Sequence, residues 1–150
     1  MQAWRICRES FADLTGEGAR LYGGRWNSPG RPVVYAAETT ALAVLEVRVH
    51  LDLDWDVLPS DYVLVTIHLP EIQIEELAAL PEDTVEVGDA WLASRRSALL
   101  KVPSAIVPES FNMLINCAHP DAAAVSIASI RPFAFDERLW RPRDRAARRG

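Results

Sequence analysis

Residues 62–70, with the sequence YVLVTIHLP, form the clearest β-strand in the chain. Valine, threonine and isoleucine recur along this stretch, and β-branched side chains pack well on the pleated surface of a sheet. Pro70 ends the strand, because proline lacks the N–H group that a strand ladder needs. A second β-type run of apolar residues, PVVYAA, covers residues 32–37. The sequence therefore predicts at least two well-buried strands.

A helix is predicted directly after the second run. Thr39 or Thr40 can act as its N-cap, and the helix extends to Leu51. Its predicted buried stripe consists of three apolar residues at helical spacing, Leu42, Leu45 and Val49. Glu46 lies on or beside that stripe, where a carboxylate must be paired or have a function.

The rest of the chain supplies short elements of both kinds. Residues 4–8 alternate and predict a short edge strand. Residues 71–98 are expected to form short helical and irregular pieces, in which Gly88-Asp89 starts a helix over residues 91–99. Further short strands are predicted at residues 99–102, 105–107 and 113–115, with one or two more within 125–135. Because strands outnumber long helices and do not alternate with them, the sequence predicts an α+β fold with a mostly antiparallel or mixed sheet.

The composition is that of a globular chain. Of the 150 residues, 49% are hydrophobic and 25% are charged, and mean hydropathy is near zero. This length fits a single domain, with a core at about residues 3–140 and a basic tail at 141–150 that is free to be flexible. The chain has two cysteines, three scattered histidines and no long apolar run. We therefore expect no disulfide framework, no metal site and no membrane span, and a cytoplasmic location.

Charge is unevenly distributed along the chain, whose net charge is −5. Residues 138–150 contain six arginines and one aspartate, so this stretch carries +5 and residues 1–137 carry −10. An acidic body repels a phosphate backbone, so direct binding of nucleic acid is not expected. The basic stretch is either a solvated terminus or a contact for an acidic partner.

Residues 16–31, GEGARLYGGRWNSPGR, contain five of the seven glycines and are predicted to form an ordered functional loop. The pattern matches neither a P-loop nor a Rossmann loop. The Gly23–Gly24 pair lets the backbone approach a ligand closely, and Arg25 offers a bidentate fork for a phosphate group. With Tyr35 and Glu46, this set suits a substrate that carries phosphate or develops a cation. On residue types alone, a structural Arg25–Glu46 ion pair and a Tyr35 in the core are the simpler interpretation.

Five blocks of the sequence resemble the RES-domain family. They are GEGARLYGGRWN at 16–27, VVYAAE at 33–38, LAVLEV at 42–47, VPSAIV at 102–107 and FDERL at 135–139. The blocks occur in the order of the family and span the chain from about residue 5 to residue 139. One departure is visible. Where the family has N-x-L-I-N-P-x-H-P, residues 112–120 are NMLINCAHP, so Cys117 replaces a proline and is expected to loosen the turn after Asn116.

The resemblance implies a fold similar to that of the ADP-ribosyltransferases and a role as the toxin of a bacterial RES–Xre toxin–antitoxin pair. NAD would then be the substrate, with no further cofactor. The implied partner is an Xre-type helix-turn-helix antitoxin, through which the toxin would contact DNA only indirectly. Apart from what the resemblance implies, the chain could also form a homodimer.

The resemblance assigns chemical roles to three charged residues. Glu46 is expected to stabilise the oxocarbenium-like cation that develops as the nicotinamide–ribose bond breaks. Arg25 and Arg5 would hold the pyrophosphate of NAD or an incoming phosphate. Because these two arginines come from separate segments, each could hold one anion.

Uncharged residues complete the predicted site. Tyr35 would stack on nicotinamide or contact the ribose, since an aromatic face fits a planar ring. Ser104 would add a hydroxyl group to the same region. Asn116 and Asn27 are weaker candidates that suit turns equally well. Cys117, although near a histidine, has an apolar flank and is expected to be an inert thiol.

The predicted activity is cleavage of the nicotinamide–ribose bond of NAD by phosphorolysis or hydrolysis. Phosphorolysis ranks first because of the two arginines, hydrolysis second and modification of a protein third. A protein ADP-ribosyltransferase therefore remains an alternative. A non-catalytic module that binds NAD is another, although such a module would be expected to lack at least one of Arg25, Tyr35 and Glu46.

Overall fold

Seven strands form one sheet in the computed structural model, which describes residues 1–140. The strands are β1 (Gln2–Arg8), β2 (Val33–Ala37), β3 (Tyr62–His68), β4 (Ile74–Glu76), β5 (Leu99–Pro103), β6 (Phe111–Asn116) and β7 (Ser126–Pro132). The helices are α1 (Glu17–Tyr22), α2 (Thr40–His50) and α3 (Thr84–Ser94). The strand order across the sheet is β4-β5-β6-β2-β1-β3-β7. Residues 141–150, the predicted basic tail, lie outside the described part of the chain.

The sheet is mixed, as predicted. β4 and β5 pair in parallel, and every other neighbouring pair is antiparallel. The α+β class is thereby confirmed. Residues 105–107, predicted as a strand, instead form a turn between β5 and β6, in which Ser104 N–H donates to Ser110 O at 2.8 Å.

β1 lies in the middle of the sheet, so the prediction of an edge strand at residues 4–8 is wrong. All seven of its residues pair with β3. Side chains of β1 do alternate between the two faces of the sheet, but both faces are covered by other elements. Ala3 packs on one face and Ile6 on the other, and each is at most 5% exposed.

β1 and β2 are paired at a single position, Trp4 with Ala37, and the segment after β1 lies against the start of β2. Gly16 illustrates how closely it lies. A Cβ atom at Gly16 would be 2.6 Å from the Val33 nitrogen, and its φ of +69° is a left-handed conformation that favours glycine. The predicted loop at residues 16–31 therefore begins at a fixed point of the sheet, and its first part is the helix α1.

The two faces of the sheet carry separate cores. Alternate residues of β2 point to opposite faces, because the side-chain period of a strand is two. Val34 and Ala36 pack in the larger cluster on one face. On the other face Ala37 joins a cluster under α2, here the α2 cluster, while Val33 and Tyr35 join a cluster under α3, here the α3 cluster. The candidate site lies between these last two clusters.

The start of α2 is as predicted, but its buried face is not. Thr39 is the N-cap, and its Oγ1 accepts from Leu42 N–H at 3.1 Å. Leu42 is buried, whereas Leu45 is 38% exposed and Val49 is 61% exposed. The helix is rotated about its axis relative to the predicted stripe, and this rotation turns Glu46 toward the sheet.

α3 begins earlier than predicted. Asp83 is its N-cap, with Oδ1 accepting from Glu86 N–H at 3.0 Å, and the helix ends at Ser94. Gly88 therefore lies in the middle of the helix and does not start it. A Cβ atom there would be 1.8 Å from the carbonyl oxygen of Trp26. Glycine at this position lets the backbone of the Arg25 segment lie directly on α3.

Candidate active site

The carboxylate of Glu46 is fixed through one of its two oxygens. Ser104 Oγ donates to Glu46 Oε1 at 2.8 Å, and Asn112 Nδ2 donates to the same oxygen at 2.7 Å. Within residues 1–140, Oε2 has no hydrogen-bond partner and the carboxylate has no ion-pair partner. Glu46 is half-buried. The site therefore presents an oriented carboxylate that neutral groups hold in place.

The hydroxyl of Ser104 is committed entirely to protein groups. Its Oγ accepts from Ile106 N–H at 3.1 Å and from Val107 N–H at 3.2 Å, so its single hydrogen is directed to Glu46. Ser104 is fully buried at the end of β5. Ser104 was predicted from the sequence to be a site residue, and in the structure it forms a hydrogen bond with Glu46.

Asn112 is the partner of Glu46 that sequence reasoning missed. It lies on β6, where Ala37 of β2 and Val102 of β5 are its neighbours across the two ladders. It shares the face of β6 with Leu114, which packs in the α3 cluster. The signal was present, because Asn112 opens the block NMLINCAHP, but nothing in the sequence connects it to a helix 66 residues earlier.

Arg25 lies at the tip of a tight turn. Gly24 and Asn27 bond to each other through both backbone N–H groups, at 2.9 and 3.4 Å, and Arg25 and Trp26 lie between them. Trp26 is buried in the α3 cluster, while Arg25 is exposed. Its guanidinium has no ion-pair partner among residues 1–140, so the structural Arg25–Glu46 ion pair considered from the sequence is not formed.

Helix α3 holds the backbone of this turn. Thr84 Oγ1 donates to the Arg25 carbonyl at 2.6 Å. Next along the chain, Ser28 donates through N–H and Oγ to the two carboxylate oxygens of Asp89, at 2.9 and 2.5 Å. Gly88, between them on the helix, contacts the Trp26 carbonyl. Sequence reasoning missed this support because it placed the start of the helix at Gly88.

Tyr35 supports the turn from the opposite side. Its hydroxyl donates to Asn27 Oδ1 at 2.5 Å and accepts from Trp26 N–H at 3.0 Å. Burial raises the pKa of this hydroxyl to about 12, so the phenol is neutral at physiological pH. Tyr35 pairs with Leu114, two residues from Asn112 on the same face of β6, which makes Tyr35 and Asn112 diagonal neighbours. Tyr35 thus contacts the turn that carries Arg25 and is a diagonal neighbour of Asn112, which donates to Glu46.

Arg5 lies elsewhere. It shares a face of β1 with Ala3 and Cys7, which pack on the face of the sheet opposite α2. Its Nη1 donates to the carbonyls of Phe11 and Asp13, at 3.0 and 3.1 Å. Arg5 lines a cavity of about 370 Å³, and the acidic residues Asp13 and Glu17 line the same cavity. The structure therefore separates Arg5 from Glu46 and Arg25.

Asn116 is also apart from Glu46, at the far end of β6. Its Nδ2 donates to Leu92 O at 3.2 Å, and its Oδ1 accepts from Ala118 N–H at 3.2 Å. His119 N–H donates to Asn116 O at 3.0 Å, so hydrogen bonds close the turn in which Cys117 replaces the proline. Burial raises the pKa of the Cys117 thiol to about 11, which keeps it protonated and unreactive.

Two absences apply to the described residues. No group of three or more histidine, cysteine, aspartate or glutamate side chains in residues 1–140 is placed to hold a metal ion. In the same range, none of the helices combines the length and the apolar character that crossing a bilayer requires.

Comparison with known proteins identifies the family. The sequence model of the RES domain matches residues 2–136 of the chain. This protein belongs to the RES domain family. The match begins at β1 and ends just after Phe135, and it contains Arg25, Tyr35, Glu46, Ser104 and Asn112.

Curated relatives of this RES domain are toxins. A protein of Sphingobium sp. named Prs ADP-ribosylating toxin is 40% identical over 92% of this chain and 96% of its own length. Proteins named Toxin Res from Pseudomonas putida and Photorhabdus laumondii are 40% and 41% identical. Each alignment covers 93% of this chain, and 100% and 97% of the relatives' own lengths. The chain is therefore similar over nearly its whole length to proteins that are named as toxins.

A solved structure has the same fold. In the crystal structure of the M. tuberculosis MbcT–MbcA toxin–antitoxin complex, one chain superimposes with a TM-score of 0.72 at 19% identity. The superposition covers 89% of this chain and 84% of the other. At this identity the likeness establishes the fold alone.

Proposed function

We propose that this RES domain cleaves the nicotinamide–ribose bond of NAD. The observation that carries the proposal is the Glu46 carboxylate, which neutral donors hold through one oxygen while the other oxygen has no partner within residues 1–140. A carboxylate without a neighbouring countercharge is suited to stabilise a cation that forms only in the transition state. Cleavage of the nicotinamide–ribose bond develops such a cation on the ribose ring.

Two further groups suit the rest of NAD. The exposed guanidinium of Arg25 can form a bidentate pair with the pyrophosphate. The turn that carries it contacts α3 at Arg25 O, at Trp26 O and at Ser28. The ring of Tyr35 can stack against nicotinamide or contact the ribose. Its hydroxyl is already bonded to Trp26 and Asn27, so the ring, and not the hydroxyl, is the group that would contact substrate.

The acceptor of the ADP-ribose group is phosphate or water in this proposal. Phosphate ranks first only if Arg5 serves as a second anion site beside Arg25. Arg5 lies on the opposite face of the sheet and donates to two carbonyl groups. The position of Arg5 therefore gives no reason to favour phosphate over water as the acceptor. Analysis of the reaction products is needed to distinguish phosphorolysis from hydrolysis.

A second candidate is transfer of ADP-ribose to a protein. The name of the Sphingobium relative, Prs ADP-ribosylating toxin, supports this function. Bond cleavage at the ribose is common to both reactions, so Glu46, Arg25 and Tyr35 would have the same roles. The two candidates differ only in the nucleophile that reaches the ribose carbon.

The partner in this proposal is an Xre-type helix-turn-helix antitoxin that covers the cleft near residues 16–27. The names of the curated toxins and the pairing of toxin with antitoxin in the MbcT–MbcA complex support an antitoxin partner. Residues 1–137 carry a net charge of −10, so contact with DNA would pass through the antitoxin. The proposal also places the protein in the cytoplasm, where it could form a homodimer.

Product analysis tests the activity. Purified protein is incubated with NAD, with and without phosphate, and the products are followed by phosphorus NMR and by release of nicotinamide. Phosphate-dependent release with an ADP-ribose phosphate ester identifies phosphorolysis, and plain ADP-ribose at an unchanged rate identifies hydrolysis. Release that requires added cell protein, with the label on that protein, identifies ADP-ribosylation. Binding of NAD without release of nicotinamide would identify a non-catalytic module and contradict the proposal.

Growth experiments test the partner. Expression of the wild-type protein alone should arrest growth, and co-expression of the adjacent small gene product should restore it. The Glu46→Gln variant is the control, because it should fold and still permit growth. Normal growth during strong expression of the wild-type protein would contradict a toxic activity.

A further inference from the structure

We infer that Asn112 is a positioning residue that, with Ser104, orients the Glu46 carboxylate for bond cleavage. This inference rests on the proposed function and deepens it. Both residues donate to the same oxygen, Oε1, at 2.7 and 2.8 Å. The rotation of the carboxylate about its terminal torsion, which is broad for a free glutamate, is thereby fixed. Oε2 is left as the oxygen that faces a ligand.

Asn112 is anchored well enough to set this geometry. It is in the interior of the sheet, paired on one side with Ala37 and on the other with Val102. A side chain on a central strand is placed more reproducibly than one on a loop. Glu46 has a longer side chain and lies on α2 beside Leu45, which is 38% exposed, so its carboxylate depends on the hydrogen bonds from Asn112 and Ser104 for a fixed position. The strand therefore positions the helix residue.

Neutral donors suit the role proposed for Glu46, which must keep its negative charge. An amide and a hydroxyl hold an ionised carboxylate, which is an acceptor-only group, without cancelling its charge. An arginine or lysine in the place of Asn112 would hold Glu46 equally well but would form an ion pair. The carboxylate would then be less able to respond to the cation that develops on the ribose.

A double-mutant cycle tests the inference. Asn112→Leu preserves the approximate volume and removes the donor. In the otherwise wild-type protein we expect kcat for release of nicotinamide from NAD to fall about 10- to 100-fold with little change in KM, since the lost interaction operates only in the transition state. In the Glu46→Gln background, the same substitution should change kcat less than about threefold, because Asn112 acts through the Glu46 charge.

The controls separate folding, positioning and the proposed function. Met113→Leu, on the opposite face of the same strand, should leave kcat within about twofold of wild type. Thermal unfolding and calorimetric titration with NAD show whether Asn112→Leu folds and binds. If Asn112→Leu is too unstable to assay, Asn112→Asp replaces it. This substitution would place a second carboxylate beside Glu46, and the acid limb of the pH–rate profile should then move to higher pH.

The possible outcomes are distinct. Equal losses from Asn112→Leu in both backgrounds, or no loss in the wild type, would overturn the positioning role while leaving the proposed function intact. For Asn112→Asp, an unmoved acid limb would overturn it in the same way. Wild-type activity in Glu46→Gln, or no release of nicotinamide by the wild-type protein, would instead overturn the proposed function and the positioning role with it.

Discussion

Glu46 and Arg25 carry the two charges of the candidate site, and the fold holds them by different means. The Glu46 side chain is held at its functional atom, by donors from Ser104 and Asn112. The Arg25 side chain has no partner within residues 1–140, and only its backbone is held, through its carbonyl oxygen and the neighbouring Trp26 and Ser28. The carboxylate of Glu46 is held at its functional atom, whereas Arg25 is held at its backbone and its guanidinium has no partner among residues 1–140.

This difference matches the tasks proposed for the two groups. A charge that stabilises a developing cation must be oriented before the reaction, because reorientation during the reaction would cost part of the stabilisation. A charge that captures a pyrophosphate can adjust to the ligand, provided that its backbone is in the right place. Substitutions can test each half of this comparison, beginning with the largest expected effect.

Glu46→Gln should lower kcat for release of nicotinamide by a factor of about 10² to 10³, the scale of one lost electrostatic stabiliser. Glutamine retains the shape of the side chain and an oxygen that can accept from Ser104 and Asn112. Thermal unfolding should therefore be close to that of the wild type. The matched control is Glu38→Gln, which removes a nearby charge while keeping an acceptor for Phe111 N–H, and it should retain activity. Full activity of the Glu46 variant would make this carboxylate structural.

Gly88→Ala should disturb the support of Arg25. The new Cβ atom would be 1.8 Å from the Trp26 carbonyl, so the turn must move away from α3. We expect the free energy of unfolding to fall by about 2 to 3 kcal/mol and the affinity for NAD to weaken, as measured by denaturant titration and calorimetry. Gly18→Ala is the control: its Cβ meets only Phe11 at 3.7 Å, and alanine favours the helix α1. If Gly88→Ala binds NAD with unchanged affinity, the backbone position of Arg25 does not control binding.

Tyr35→Phe should destabilise the same turn from its other side. The change leaves Asn27 Oδ1 and Trp26 N–H without their partner, at a cost of about 2 kcal/mol near neutral pH. Because burial raises the pKa of Tyr35 to about 12 from its ordinary value near 10, the unfolded chain loses this proton first. The wild-type protein should thus lose stability from pH 10 to pH 12, and the variant should lose less over that interval.

Chemical unfolding at several pH values measures both effects of the tyrosine substitution. Tyr22→Phe is the control, because Tyr22 is 79% exposed and its hydroxyl has no partner in the described chain. Identical alkaline profiles for wild type and Tyr35→Phe would show that Tyr35 does not titrate in this range.

Arg25→Lys should weaken binding of NAD by about tenfold, because lysine keeps the charge but loses the bidentate fork. Stability should not change, since the side chain has no partner to lose. Calorimetric titration measures the affinity, and Arg31→Lys in the same segment is the matched control. Equal affinity for wild type and Arg25→Lys would move the pyrophosphate to another group and remove the contrast between the two charges.

Local patterns were enough to predict several elements. The β-branched run at residues 62–70 became β3, the run at 32–37 became β2, and Thr39 caps α2. Each of these rests on residues that are close in sequence. The position of β1 in the middle of the sheet depends on pairing with β3, more than 50 residues away, and local alternation contains no information about it.

The candidate site shows the same limit. Glu46 was predicted because a carboxylate beside an apolar stripe needs a reason to be there, even though two of the three stripe residues are exposed. Its partners Ser104 and Asn112 are 58 and 66 residues away, and family resemblance supplied the first but not the second. The family resemblance grouped Arg5 with Arg25 as anion-binding residues, whereas the alternation of β1 directs Arg5 to the other face.

The attachment of α2 has a consequence for how the molecule opens. Its buried apolar anchors, Leu42 and Ala43, are in the first turn, and the later Val49 is 61% exposed. In the second half of the helix and at its C-cap, Val47 and Leu51 are half-buried against the α2 cluster, and the hydrogen bonds of Glu46 add a polar tie to Ser104 and Asn112. Local opening of the second half of α2 must break them, so its amide exchange rates depend on the acceptor at position 46. Glu46→Ala would then loosen the second half of α2 as well as remove a charge, whereas Glu46→Gln keeps an acceptor. Protease sensitivity and amide exchange in this part of the helix should therefore be higher in Glu46→Ala than in Glu46→Gln.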